Sequence, residues 1–189
     1  MKLSHFHVTL PKSGETVSGD TVVVRVEDGV ALLCVIDALG HGPIASAVAD
    51  KGRAYLETVP LSKSALGITE GLHDSLRGTR GAAALCCVLR EGRVQGCGVG
   101  NVELRVLASR VPVILTPGIL GVSLNRTRIF EGPLAIGARL VIFSDGLSPR
   151  MELDRFEKLT AENAAKSMMD RYRRSHDDAT LLIADVEAI

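Results

Sequence analysis

Four aspartates carry the chemistry that this sequence can do. Asp37 closes the apolar run "VALLCVI", Asp145 closes "RLVIFS", and Asp177-Asp178 immediately precede "ATLLIADV". Each carboxylate therefore stands at the mouth of a strand whose neighbours read as buried. Glycine adjoins the first two, in "DALGHG" and "SDGL", and lets the backbone come close to whatever the acids hold. Taken singly, each acid is an ordinary turn residue or helix cap. If the three strands are neighbours, the acids meet at one edge of a sheet, where mutual repulsion demands cations. An oxygen-only cluster of that kind suits Mg²⁺ or Mn²⁺ with waters completing the octahedron. His41 lies in the glycine-flanked loop after Asp37; it is either a proton donor beside such ions or a loop residue bonded to backbone. The other histidines, His5, His7, His73 and His176, show no ligand spacing, which argues against zinc.

The elements that must position these acids are mostly strands. "TVVVRVE" (21–27) and "VALLCVID" (30–37) flank an Asp-Gly turn and form a hairpin. A helix is expected from Ile44 to Thr58, with Pro43 in its first turn, and a second from Lys63 to Leu76. "AAALCCVLR", "RVQGCGVG" and "VELRVLAS" read as an antiparallel meander, followed by two short strands and a Gly-rich loop. A long helix is expected from Leu153 to Tyr172 on the spacing of Leu153, Phe156, Leu159, Ala164, Met168 and Tyr172. Runs of strands beside runs of helices argue for α+β with antiparallel sheets. Strands apolar on both faces must be covered on both, which two stacked sheets with helices outside would achieve.

The 189 residues suit a single domain spanning 1–189, and 46% hydrophobic against 23% charged residues exclude a disordered chain. A formal net charge of zero leaves no nucleic-acid footprint. The short "RYRRS" at 171–175 reads as a cationic helix end, with a docking patch for an acidic partner as its rival. "MKLSHFHVTLPKSG" lacks the apolar stretch of a signal peptide, and no apolar run is long enough to span a bilayer. Cys34, Cys86, Cys87 and Cys97 all sit in apolar strand-like runs, with Cys86 and Cys87 directed to opposite faces. They read as core thiols of a cytoplasmic protein.

Together, "SGD" (18–20), "DALGHG" (37–42), "SDGL" (144–147) and "DDATLLIADV" (177–186) resemble the metal-dependent serine/threonine protein phosphatases, the PPM family. The match follows the SpoIIE/RsbU/RsbX branch along nearly the whole chain and is most similar to its stressosome feedback type. The resemblance implies an α-β-β-α sandwich of two antiparallel sheets flanked by helices. It implies two Mn²⁺ or Mg²⁺ ions bridged by Asp37, with the Ala38 carbonyl reaching one and Asp145 and Asp177 ligating the other. Asp20 would hold outer-shell water, Asp178 would support Asp177, and His41 would be the proton donor. Gly100-Asn101 stands where many relatives carry an acid, so a third ion is left open. The phosphate-gripping arginine of the eukaryotic branch has no counterpart near the N-terminus, where Lys12 is the nearest basic residue. The implied reaction is metal-assisted hydrolysis of phosphoserine or phosphothreonine. The implied partners are phosphorylated STAS-domain proteins of a stressosome, acted on as negative feedback in stress signalling, with neither nucleic acid nor membrane involved. Two rival readings are a non-catalytic binding module on the same fold and a hydrolase of small phosphoesters.

Overall fold

The computed structural model describes residues 2–124 and 126–188. Its strands are β1 (Lys2–Leu10), β2 (Asp20–Glu27), β3 (Val30–Ala38), β4 (Ala82–Arg90), β5 (Arg93–Val99), β6 (Glu103–Leu107), β7 (Leu115–Thr116), β8 (Gly118–Ile119), β9 (Ser123–Leu124), β10 (Ile129–Pro133), β11 (Arg139–Phe143) and β12 (Ala179–Ala188). Its α-helices are α1 (Gly42–Thr58), α2 (Ala65–Ser75) and α3 (Ala161–Tyr172). One sheet runs β1-β12-β11-β6 and the other β10-β5-β4-β3-β2, with β7 added parallel to β5. Apart from that short addition, both sheets are antiparallel.

Alternation along the strands divides the apolar residues among three layers. Leu32, Cys34 and Ile36 of β3 and Ala84, Cys86 and Val88 of β4 face α1 and α2. Their alternate neighbours Leu33, Val35, Leu85 and Cys87 meet Leu140, Ile142, Leu182 and Ala184 between the sheets. On the far side, Val141, Phe143, Leu181 and Ile183 pack against Ala164, Ala165 and Met168 of α3. Strands covered on both faces lose the polar alternation of half-exposed ones. That is why β3, β4, β11 and β12 read as continuous apolar runs. The result is the expected α-β-β-α sandwich. The four cysteines are buried free thiols, and Cys86 and Cys87 do face different layers.

Three elements differ from the sequence reading. β1 was not expected; it pairs with β12 from Leu3 to Leu10 and closes the edge of its sheet. Phe6, Val8 and Leu10 alternate with His7 and Thr9, a two-residue period that the histidines obscured. β6 leaves the meander and pairs with β11 in the other sheet. The helix expected over 153–172 is broken into a 3₁₀ turn, Leu153–Phe156, and α3. Arg139 explains the break: its guanidinium donates to the carbonyls of Phe156 (2.8 Å) and Leu159 (2.7 Å) while forking onto Asp185 (2.6 and 2.8 Å). Those carbonyls are thereby satisfied without a continuing helix, and Thr160 caps the new start by accepting from Asn163 N–H. Among the described residues no helix is long and apolar enough to cross a membrane.

Candidate functional site

Antiparallel pairing brings the acids together. β2 begins where β3 ends, so Asp20 and Asp37 are direct cross-strand partners. In the other sheet β12 begins where β11 ends, which sets Asp177 and Asp178 beside the Ser144-Asp145 turn. Ser144 stitches the two sheets at this edge: its hydroxyl donates to Asp20 (2.6 Å) and accepts from Thr180 N–H (2.9 Å). Gly146 permits the close approach of turn and strand, because a Cβ there would fall 1.8 Å from the Asp178 carbonyl oxygen. Asp37, Gly40, His41, Asn101, Asp145, His176 and Asp177 line one cleft of about 340 Å³.

The electrostatics follow from this crowding. Burial first, then Asp20, Asp145, Asp177 and Asp178, pushes the Asp37 carboxyl up to about 9. Burial likewise pushes Asp20 up to about 7, although hydrogen bonds from Ser144 and Thr180 favour its charged form. Asp145 is raised by burial and by Asp177, with the Asn101 amide and Arg174 pulling the other way. An acid cluster that holds protons so tightly in metal-free form is short of positive charge. Its donors are carboxylate oxygens, a set that fits hard divalent cations and not zinc. Among the described residues no three His, Cys, Asp or Glu side chains form a ready-made cage for one ion. Sparse protein ligation completed by water is the habit of Mg²⁺, so the residues fit ions of that type.

The remaining candidates divide by role. Asp178 is buried and accepts from the backbone N–H of Lys12 and of Gly19, both at 2.7 Å, so it anchors the loop that presents Asp20. Asp177 accepts from Asp178 N–H at 2.9 Å. Ala38 is buried at the end of β3, its N–H donating to Gly19 O (3.1 Å). Asn101 does point into the cleft and donates to Asp145 at 2.6 Å. His41 is held on both ring nitrogens, with Glu15 at Nδ1 (2.7 Å) and Lys12 Nζ at Nε2 (2.8 Å). An ammonium can only donate, so Nε2 accepts and Nδ1 carries the hydrogen given to Glu15.

Sequence reasoning did not find Glu15, Arg80, Arg174 or His176 as parts of this edge. His176 lines the cleft; its place directly before two ligand-type aspartates was the available signal. The Arg cluster is more than a helix end: Arg173 donates to Pro11 O, and Arg174 donates to Asp145 O at 3.1 Å. His73, by contrast, is a core histidine that accepts from Gly121 N–H at 3.0 Å.

No protein-family model matches the chain, and no curated protein does. Solved structures do. One comes from work on the bacterial stressosome as a modular system adapted to control secondary messenger signalling; it is 31% identical over 97% of this chain and 100% of that one, with a TM-score of 0.87. RsbX in complex with magnesium superposes with a TM-score of 0.86 at 21% identity, over 98% of this chain and 96% of that one. The serine/threonine phosphatase PstP/Ppp of Mycobacterium tuberculosis gives 0.78 at 14% identity, over 98% and 99%.

Proposed function

Because the chain belongs to the metal-dependent protein phosphatase (PPM) family, we propose that it hydrolyses phosphoserine or phosphothreonine on STAS-domain stressosome proteins in the cytoplasm, as negative feedback on stress signalling. One observation carries the reading: Asp20, Asp37, Asp145 and Asp177 come from two sheets to one edge, and three of them line an open cleft. When bound, two Mg²⁺ or Mn²⁺ ions supply an acidified water and neutralise charge on the phosphoryl group.

The chain's own residues do the rest. Asp37, with the Ala38 carbonyl, and Asp145 and Asp177 would hold the ions. Asp20, fixed by Ser144, orients water next to Asp37. Asp178 keeps the Asp20 loop seated. Asn101 occupies the place of a further ligand with a neutral amide, which favours two ions over three. Glu15 orients the His41 ring through Nδ1. For His41 to give a proton to the leaving serine or threonine oxygen, Nε2 must first take one up and release its contact with Lys12.

Selection among phosphoproteins must come from contacts away from the ions. Beside the cleft, and sharing Leu39, Ala83 and Asn101 with it, lies an apolar groove of about 530 Å³ lined by Leu115, Pro117 and Ile119. Residues 116–119 of the Gly-rich 116–125 loop form part of its wall, and Asn125 of that loop lies outside the described residues. A folded partner would dock there. The RsbX and stressosome likenesses support a STAS-domain partner. The test compares kcat/KM on an intact phosphorylated STAS domain with that on a phosphopeptide cut from it. A preference of about tenfold or more, worth about 1.4 kcal/mol, is expected for the intact domain. Equal values would remove the docking argument.

A further inference from the structure

Arg80 lies in the turn between α2 and β4, far in sequence from every motif at the acidic edge. Its guanidinium nevertheless lies against the loop that borders the cleft: a Cβ built on Gly40 would come 3.1 Å from Arg80 Nη1, and Gly40 lines the cleft with Asp37 and His41. Gly40 adopts φ +91°, so the loop both excludes a side chain there and leaves the space that Arg80 fills. The two segments are joined by backbone, Leu39 N–H donating to Gly81 O at 3.0 Å, and Gly81 N–H is held in turn by the Thr79 hydroxyl at 3.0 Å. Arg80 is thus carried by a turn locked to the loop that presents Asp37 and His41.

His176 lines the cleft without a hydrogen bond among the described residues, but the neighbouring cations and the amide are engaged. Lys12 Nζ is on His41, Asn101 is on Asp145, and Arg174 is on the Asp145 carbonyl. Among the described residues the exposed Arg80 side chain makes no hydrogen bond and no ion pair. An unspent guanidinium offers five N–H donors in a planar fork that matches two oxygens of a phosphoryl group. Ions held by Asp37, Asp145 and Asp177 would neutralise the phosphoryl dianion from the floor of the cleft. The oxygens turned toward the rim then need a donor.

We propose that Arg80 is a substrate-binding residue that grips the phosphoryl group of a phosphomonoester at the rim of the carboxylate cleft. The inference rests on the phosphatase reading above and adds a residue to it. It also accounts for the absence of an N-terminal arginine: the cation enters from the α2–β4 turn instead, with Lys12 committed to His41.

The experiment uses the full chain with saturating Mg²⁺ or Mn²⁺ and compares wild type with Arg80→Ala and Arg80→Lys. Binding of inorganic phosphate is followed by calorimetry, and p-nitrophenyl phosphate hydrolysis gives KM and kcat. Arg80→Ala should weaken phosphate binding and raise KM by at least about tenfold, the lower end for losing a charge-assisted hydrogen bond. Arg80→Lys should recover part of this, since it keeps the charge and loses the fork. Metal affinity and thermal midpoint should stay at wild-type values, because the side chain has no structural partner to lose. Unchanged phosphate affinity in Arg80→Ala, with wild type active, overturns this inference alone. An effect confined to a phosphoprotein substrate also overturns it, by making Arg80 a protein contact. A wild-type chain that neither binds phosphate nor hydrolyses any phosphoester overturns the phosphatase reading and this inference with it.

Discussion

Replacing Asp37 with asparagine should stabilise the metal-free protein while destroying its response to metal. The folded chain holds the Asp37 proton up to about 9, against 3.8 for an ordinary aspartate. Linkage sets the sign: a group whose folded value is raised favours the fold most when protonated, at low pH. Stability is therefore lost progressively as pH rises from about 4 towards 9. At pH 7 the loss accumulated since 3.8 has a ceiling of about 4 kcal/mol, at about 1.4 kcal/mol per pH unit. An asparagine carries no charge and can still donate to Asp145, but its amide must also be desolvated. A net gain of about 1–3 kcal/mol is the expected outcome. Urea unfolding in EDTA at pH 5, 7 and 8 measures it: the wild-type midpoint should fall across the series and that of Asp37→Asn should fall much less. Adding Mg²⁺ should raise the wild-type midpoint and leave the variant nearly unmoved. A variant less stable than wild type in EDTA at pH 7, or one with the same pH slope, would refute the crowding argument.

Other substitutions test other parts of the structure. Asn101→Asp adds a carboxylate next to Asp145 and should tighten Mn²⁺ binding in calorimetry, most visibly as an additional weak site. Gly146→Ala places a Cβ on the Asp178 carbonyl and should cost about 2 kcal/mol or more in urea unfolding, with metal affinity lost in parallel. Arg139→Met strands Asp185 and the carbonyls of Phe156 and Leu159. It should destabilise by about 3 kcal/mol, with hydrogen exchange rising first over the Leu153–Phe156 turn.

What could be read from the sequence was what depends on local pattern. The apolar runs of β3, β4, β11 and β12 announce strands covered on both faces, and the position of Asp37 and Asp145 at the ends of such runs announces the edge where they meet. Thr160 is a recognisable cap, yet the helical spacing on either side of it concealed the break, because Arg139 enforces that break from a distant strand. Contacts between remote segments were not legible. Ser144 and Asp20 lie 124 positions apart and Glu15 and His41 lie 26 apart. Nothing in either stretch says which partner it meets. Arg80 is an extreme case, since no motif surrounds it and only the folded turn brings it to Gly40. β6 illustrates the same limit for topology: its strand character was plain, but the choice of β11 over β5 is made by the packing between the sheets.

Phosphate release from a phosphorylated STAS domain by the purified chain, measured with Mn²⁺ and with EDTA and repeated with Asp37→Asn and Asp145→Asn, is the most direct measurement. Release that requires the metal, is abolished in EDTA, returns on adding Mn²⁺ and is absent from both folded variants is the expected result. Full release in EDTA, or release by either variant at the wild-type rate, would contradict catalysis by ions held at this edge.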